Sequence, residues 1–180
     1  MAVDLDALIP VFRSSIEKLL GNCRVCGVDM RPYFTIRTPF EQAKLWRQSR
    51  SRLEIDAEIQ RLRRADADFL AHCLESVGPQ HGDPVTNALP GYSWHQWAEA
   101  VDCFWVVDGK AEWSTEKVVN GLNGYKVYAE EAVKLGLNAG GLWHTLKDWP
   151  HVQRRPDASP ATIMSLKEIN DGMRERFGSR

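Results

Sequence analysis

Two histidines and two carboxylates have the residue types and spacing needed for metal-assisted hydrolysis. His95 and Asp102 lie seven residues apart, and Asp148 precedes His151 by three residues. Neutral imidazoles and a carboxylate are typical zinc ligands, and three protein ligands leave a fourth position for water. Zinc lowers the pKa of bound water to about 7, and a nearby carboxylate can then act as general base. The pattern favours one Zn²⁺ ion held by His95, Asp102 and His151, with Asp148 as the base.

The same residues also fit structural roles when each is considered alone. A histidine in an aromatic-rich stretch is commonly packed and hydrogen-bonded to backbone, and a carboxylate at the start of a strand can cap a turn. The zinc signature HExxH is absent from the sequence. The residues alone therefore leave the metal site as one of two interpretations.

A strand and a proline-containing turn must position these side chains. The apolar run 103–107 predicts a strand that begins near Asp102, and we expect His95 on the loop before it. Pro150 disfavours helical geometry at the preceding residue, so we expect its neighbouring carboxylate and histidine on a stiff, extended turn. Strand alternation predicts two faces: Asp102, Phe104 and Val106 on one, and Val101, Cys103, Trp105 and Val107 on the other.

The remaining elements predict an α+β fold. Thr38 and Glu41 form a capping box, Gly21 and Gly136 mark helix ends, and Asp108-Gly109-Lys110 is a hairpin-type turn. A run of helices around one small antiparallel sheet indicates a single domain over 1–180, with a core at about 30–153 and a tail at 156–180. Helices are predicted over 4–21, 38–50, 52–76, 123–135 and 160–175, and a short strand over 32–36.

Composition excludes several classes of protein. The chain has 180 residues, of which 43% are hydrophobic and 26% charged, as expected for one globular domain. The net charge of -1 gives no basic field for nucleic acid, and no apolar run approaches the roughly 20 residues of a membrane helix. The acidic N-terminus lacks the basic region of a secretory signal, so we expect synthesis in the cytoplasm. We also expect a monomer.

Two of the four cysteines form a CxxC pair, Cys23 and Cys26. This spacing suits half a zinc site or a redox pair. No second CxxC accompanies it, so free thiols that are buried or partly buried are the favoured interpretation.

Three separated motifs resemble those of the M15 zinc peptidases. This family includes D-alanyl-D-alanine carboxypeptidases, L-alanyl-D-glutamate endopeptidases and phage endolysins. The segment Ser93-x-His95-x-x-Ala98-x-Ala100-x-Asp102 is similar to the family pattern SxHxxGxAxD, with Ala98 in place of the glycine. Trp143 and Asp148-Trp149-Pro150-His151 follow later, and the stretch from Arg37 to Gln42 resembles the family's Arg-Ser-x-x-Glu-Gln segment.

The resemblance implies a zinc D-Ala-D-Ala peptidase-like fold, also found in hedgehog proteins, and a role for each matching residue. His95, Asp102 and His151 would bind zinc, and Asp148 would be the catalytic base. Arg37 would contact substrate or stabilise charge on the scissile carbonyl. Ser93 and Trp143 would bind substrate.

The expected function is therefore hydrolysis of a peptide bond in the stem peptide of peptidoglycan. L-alanyl-D-glutamate endopeptidase activity of the endolysin type is the first expectation. A D-alanyl-D-alanine carboxypeptidase or dipeptidase is the alternative within enzymes, and a non-catalytic binding protein that keeps the fold is the alternative outside them. Without a signal peptide, the enzyme would reach the cell wall after release through a phage-type lysis system.

Overall fold

A computed structural model describes residues 3–178 and confirms the α+β fold class. Its contacts divide the chain into two compact units. The sheet unit comprises Met1–Ile36 and Ala98–Pro156, and the helical unit comprises Arg37–Trp97 and Asp157–Arg180. A single domain over 1–180 stays a prediction, and its ends at 1–2 and 179–180 lie outside the described residues. None of the helices within 3–178 has the length and apolar character needed to span a membrane.

The sheet unit contains five strands and two α-helices. The strands are β1 (Asp29–Phe34), β2 (Ala100–Val107), β3 (Lys110–Glu112), β4 (Asn138–Ala139) and β5 (His151–Gln153). The helices are α1 (Pro10–Val25) and α5 (Gly124–Lys134). The order β1-β2-β5-β4 is antiparallel throughout, and β3 pairs with β2 through the predicted Asp108-Gly109 turn. Both turn residues have positive φ, at 50° and 75°, as a two-residue hairpin of this kind requires.

The core of the sheet unit lies between one face of the sheet and the two helices. Helix α1 buries Phe12, Ile16 and Leu19, and helix α5 buries Tyr125 and Tyr128. Burying these side chains is the main favourable contribution to the fold of this unit.

Three predicted boundaries in this unit are wrong. Helix α1 begins at Pro10 rather than at residue 4, after a 3-10 turn at Leu5–Ala7. Helix α1 passes through Gly21, because Cys23 continues its buried stripe, and it ends at Val25. Gly27, with φ at 81°, is the actual stop signal. Strand β1 spans Asp29–Phe34 rather than 32–36, with an irregular register between Pro32 and Phe34.

The helical unit contains α2 (Pro39–Arg47), α3 (Arg52–Arg64), α4 (Asp68–Ser76) and α6 (Leu166–Phe177). The Thr38–Glu41 capping box at α2 is confirmed. The single helix predicted over 52–76 is wrong, because Asp66 adopts a positive φ of 54° and separates α3 from α4. The break lets the two helices pack together and bury Leu62 and Leu70.

Three other helix predictions need smaller corrections. Helix α2 ends at Arg47 instead of residue 50. The segment 160–175 is a 3-10 turn at Pro160–Thr162 followed by α6, which Ser165 caps separately. The predicted helix over 123–135 is confirmed as α5, with the Asn123 side chain accepting a hydrogen bond from the Lys126 backbone N–H at 3.0 Å.

Candidate metal centre

Asp102 and His151 lie directly opposite each other on neighbouring antiparallel strands. Their Cα positions are partners in the β2–β5 ladder, and His151 Nδ1 lies 3.0 Å from Asp102 Oδ1. The next pair along, Val101 and Val152, points to the opposite face and is fully buried in the core. Strand alternation therefore fixes the carboxylate and imidazole together on one side of the sheet. The predicted turn at His151 is the start of a strand.

Gln153 holds the second nitrogen of the His151 ring. Its Oε1 lies 3.1 Å from His151 Nε2, and its Nε2 donates to the Arg155 carbonyl at 2.7 Å. Because the Gln153 amide nitrogen is directed to a carbonyl, its oxygen faces the imidazole and accepts a hydrogen bond from Nε2–H. This leaves Nδ1 as the nitrogen with a lone pair for a metal. In metal-binding histidines, the hydrogen-bond partner of the other ring nitrogen commonly fixes the tautomer in this way.

The electrostatics of the pair favour a positive charge beside Asp102. Burial opposes protonation of His151, but the hydrogen bond and charge of Asp102 outweigh it and raise the pKa of His151, with Asp148 adding to the effect. The imidazole and carboxylate side chains are only 9% and 13% exposed. Such a low-dielectric, net-negative position stabilises a cation, whether a proton or a metal ion.

His95 belongs to the helical unit and lies on a 3-10 turn at Trp94–Trp97. The turn is held by a hydrogen bond from Trp94 Nε1 to the Asp157 carbonyl at 2.7 Å, and the His95 carbonyl accepts one from the Arg37 N–H at 3.4 Å. His95 is 3% exposed. Its backbone is therefore fixed by the elements around it, and the segment predicted as a loop is regular.

His95, Asp102 and His151 have the residue types of a candidate metal-binding group, with Asp102 and His151 in the sheet unit and His95 in the helical unit. Two imidazoles and one carboxylate match the donor set of a zinc ion that keeps a position open. No other group of this kind is found among residues 3–178.

Asp148 is held next to His151 through the backbone. Its N–H donates to the Gly140 carbonyl at 3.0 Å, and its carbonyl accepts from the His151 N–H at 3.1 Å. A Cβ on Gly140 would lie 2.4 Å from the Asp148 carbonyl oxygen and 3.1 Å from His151 Cβ. Gly140 is therefore needed for close approach of two backbone segments rather than for tight turning. The Asp148 side chain is exposed and accessible to a substrate.

Trp143 packs against the candidate ligand on β5. Its ring centre lies 5.3 Å from that of His151, and its Nε1 donates to Asn138 Oδ1 at 2.8 Å. The ring is half-buried, so one part of it stays available to solvent. This position fits the predicted substrate contact and equally supports the imidazole.

Arg37 and Ser93 both lie in the helical unit and are half-buried. Arg37 Nη1 donates to Gln42 Oε1 at 3.0 Å, and Gln42 Nε2 donates in turn to the Ala88 carbonyl at 2.7 Å. Ser93 accepts the Gln96 N–H on its carbonyl at 3.0 Å, at the start of the turn that carries His95. Their predicted contacts with substrate stay predictions.

An aromatic patch on the metal-site face of the sheet was missed from the sequence. It consists of Tyr33, Phe104 and Trp113, whose ring centres lie 5.1 to 6.1 Å apart. Tyr33 is 37% and Trp113 is 55% exposed. Burial raises the pKa of Tyr33, and so do the negative charges of Asp102 and Asp148. Strand alternation already predicted Phe104 on this face, but nothing in the sequence linked it to Tyr33 or Trp113.

The CxxC pair contains free thiols. Cys23 is buried and Cys26 is exposed. Burial raises the pKa of Cys23 to about 12, so its thiol is protonated and unreactive at neutral pH. The prediction of free thiols agrees with this geometry, although Cys26 is more exposed than expected.

Two solved structures are similar to this chain. One is an L-Ala D-Glu endopeptidase, ChiX, from Serratia marcescens, at 19% identity and a TM-score of 0.43, covering 83% of this chain and 81% of that one. The other is a vancomycin resistance D,D-pentapeptidase, VanY, in complex with Zn(II), at 17% identity and a TM-score of 0.46, covering 90% and 83%. No protein-family model matches the sequence, and no curated protein matches it. We therefore infer function from the residues of the site.

Proposed function

We propose that this protein is a zinc-dependent peptidase that cuts the stem peptide of peptidoglycan, with L-alanyl-D-glutamate endopeptidase activity. The observation that carries the proposal is the Asp102–His151 pair on the β2–β5 ladder, with the exposed carboxylate of Asp148 next to His151 in the same unit. His95 is the proposed third ligand. The sequence motifs that resemble the M15 peptidases support peptidoglycan as the substrate.

The proposed ligands are two neutral imidazoles and one carboxylate. When bound, a zinc ion would supply the positive charge that polarises the scissile carbonyl and favours deprotonation of the attacking water. Asp102 would hold it through one oxygen, and His151 through Nδ1 while Nε2–H donates to Gln153. Backbone pairing of β2 with β5 holds both side chains before the ion arrives, so little ordering is needed on binding.

Asp148 is the proposed general base. Its carboxylate takes a proton from the attacking water and then gives it to the nitrogen of the leaving amine. The backbone hydrogen bonds to Gly140 and His151 keep it in place for both transfers. Arg37 is proposed to stabilise negative charge on the carbonyl oxygen, and Ser93 and Trp143 to bind the peptide.

The aromatic patch supports an endopeptidase over an enzyme that removes a terminal residue. Phe104 follows Asp102 by two residues on the same strand and face, and Trp113 beside it is exposed. Aromatic surface along this face suits a substrate that extends beyond the scissile bond. Action on the cell wall after release by a lysis system is proposed on the same basis as the substrate, from the resemblance.

Digestion of purified peptidoglycan tests the proposal. Mass spectrometry of the products should show new N-termini on D-glutamate, and treatment with a chelator or the Asp148→Ala change should abolish them. Release of D-alanine instead would assign the carboxypeptidase alternative. Intact peptidoglycan after incubation with zinc-loaded protein would point to the non-catalytic alternative and overturn the proposal.

A further inference from the structure

A second concave site in the helical unit is lined by positive charge. A cavity of about 320 Å³ has Arg47, Arg50 and Arg52 on its walls, together with Gln80 and His81. No carboxylate lines this cavity. None of these residues belongs to the candidate metal centre, and none has a role in the proposed peptidase reaction.

Arg47 is a buried cation that contacts no carboxylate directly. It is 6% exposed, and it makes no ion pair within residues 3–178. Its Nη1 donates to the Leu74 carbonyl at 2.6 Å, but its buried Nε has no hydrogen-bond partner in the described part of the chain. Burial lowers the pKa of Arg47 and the charge on Arg52 lowers it further, while the more distant charge of Asp56 only partly opposes them. A buried charge and a buried N–H that lack partners both reduce stability, so an anion here would relieve the two together.

The other two arginines are held at the cavity by different contacts. Arg50 Nη2 donates to the Thr86 carbonyl at 3.2 Å and to Asn87 Oδ1 at 3.1 Å, and its guanidinium lies 4.2 Å from the centre of the Trp46 ring. Arg52 is 82% exposed and pairs with Asp56 at 3.0 Å. Arg50 is therefore fixed in place, whereas Arg52 can turn towards a ligand at little cost.

The loop that closes the cavity is tied to the helices. Gln48 Nε2 donates to the His81 carbonyl at 3.2 Å, and Gln80 Nε2 donates to the Val77 carbonyl at 3.0 Å. A neighbouring cavity of about 450 Å³ shares Arg47 and contains the carboxylates of Asp56 and Glu75. Arg52 and Arg63 already neutralise these carboxylates. The charged side chains that line the smaller cavity are thus all arginines, and Arg52 would exchange its pairing with Asp56 for a ligand there.

We propose that this cavity binds a phosphate group, through Arg47, Arg50 and Arg52. Arginine guanidinium groups donate in a planar fork that matches the oxygens of phosphate, and several forks around one cavity suit its larger number of oxygens and its higher charge better than they suit a carboxylate. The group is either free phosphate or the phosphodiester of an anionic polymer.

Arg47 has one alternative role that the test must separate. Leu74 lies in the last turn of α4, where its carbonyl has no partner within the helix, so the Arg47 guanidinium also caps that end. A cap without ligand binding predicts that Arg47 changes stability equally with and without phosphate.

Thermal unfolding of the full chain in increasing inorganic phosphate, at constant ionic strength set with sodium chloride, tests the proposal. We expect the midpoint to rise by about 3–5 °C at ten times the dissociation constant. The rise should disappear in Arg47→Gln and need several-fold more phosphate in Arg52→Gln, which alters only an exposed side chain. Arg61→Gln is the matched control, because Arg61 is on the same helix, pairs with Glu58 and does not line the cavity.

Each outcome decides the proposal. A glycerol phosphate oligomer that gives the same rise supports binding, with a polymer as the source, and a rise with inorganic phosphate alone supports it with the free ion as the source. No rise in the wild-type protein, an equal rise in Arg47→Gln, or an equal rise with acetate would overturn it. If Arg47→Gln fails to fold, Arg52→Gln against Arg61→Gln still separates binding from its absence.

Discussion

The two faces of the β2–β5 ladder share one backbone, but one face is apolar and the other is polar. On one face Val101, Cys103 and Val152 are fully buried in the core of the sheet unit. On the other, Asp102 pairs with His151, and Gln153 holds the second nitrogen of the imidazole. The same hydrogen bonds between strands thus serve stability on one side and chemistry on the other.

This difference indicates that adjacent residues of one strand serve separate purposes, one the stability of the fold and the next the proposed activity. A change on the apolar face should reduce the free energy of unfolding and leave metal affinity unchanged. A change on the polar face should lower metal affinity, because these side chains are the proposed ligands or hold them in place.

The largest effect is expected where chemistry depends on a side chain that is not a ligand. Asp148→Ala should lower kcat by about 10²–10⁴-fold, because it removes the general base while the three ligands stay in place. Turnover of a purified stem-peptide substrate measures the loss, and bound zinc measured on the same sample is the control. Activity within a few-fold of wild type would remove Asp148 from the base role.

The apolar face is tested by Val152→Ala. Loss of two buried methyl groups and the cavity left behind should lower the free energy of unfolding by about 2–3 kcal/mol. Denaturant unfolding of the zinc-free protein measures this change. Zinc affinity of the folded protein should match wild type, and a tenfold loss would show that the two faces are not independent.

A change at Gln153 tests the polar face without replacing a proposed ligand. Gln153→Ala frees His151 Nε2 from its acceptor and should weaken zinc binding by about 10–100-fold. Competition with a zinc chelator measures the affinity. Gln153→Glu, which keeps an acceptor oxygen, should restore most of it, whereas equal weakening in both variants would argue for a packing role.

The end of the ladder carries a buried carboxylate that is paired with two arginines, none of them a proposed site residue. Glu99 is 7% exposed, and its carboxylate accepts from Arg154 at 2.9 Å and from Arg155 at 2.8 Å. Burial alone would raise the pKa of Glu99, but the two arginines outweigh it and lower the pKa. Glu99→Gln should therefore lower the free energy of unfolding by about 1–2 kcal/mol at pH 7.

The pH dependence of that difference has a definite sign. A lowered folded-state pKa contributes stability that is complete above the unfolded value, about 4.3, and is lost as pH falls through the folded value. The difference between wild type and Glu99→Gln, measured by denaturant unfolding, should shrink below about pH 4.3. A difference that grows as the pH falls would contradict the assignment.

The smallest effect is expected at Ala98, the position where the resembling family pattern has glycine. Ala98 adopts a positive φ of 59°, a conformation that strains a residue with a Cβ. Ala98→Gly should therefore raise the free energy of unfolding by about 0.5–1 kcal/mol. This net gain is what remains once the greater conformational entropy of glycine in the unfolded chain has been subtracted from the relief of strain. Unchanged or lower stability would show that contacts of the buried methyl group outweigh the strain.

Elements with a local signal could be predicted from the sequence. The Thr38–Glu41 capping box, the Asp108-Gly109 hairpin and the alternating faces of β2 are confirmed, because each depends on neighbours within a few residues. The break at Asp66 was missed because its cause is the packing of α3 against α4, which a helical stripe does not reveal. The strand at His151 was missed because three residues are too few to show a period.

The site shows the same division. Residue type and order suggested His95, Asp102 and His151, and the resemblance added roles. The partner of the imidazole, Gln153, depends on the β2–β5 register, and the need for Gly140 depends on the close approach of its backbone to Asp148. Neither relation has a signal in the sequence, because each joins segments that meet only in the folded chain.

Metal analysis of the purified protein tests the central claim most directly. We predict close to one zinc per chain in the wild type and in Asp148→Ala. We predict a loss of zinc in His95→Ala, Asp102→Ala and His151→Ala, with circular dichroism used to check that each variant is folded. Wild-type protein that binds no zinc when it is supplied, or ligand variants that keep it, would contradict the account.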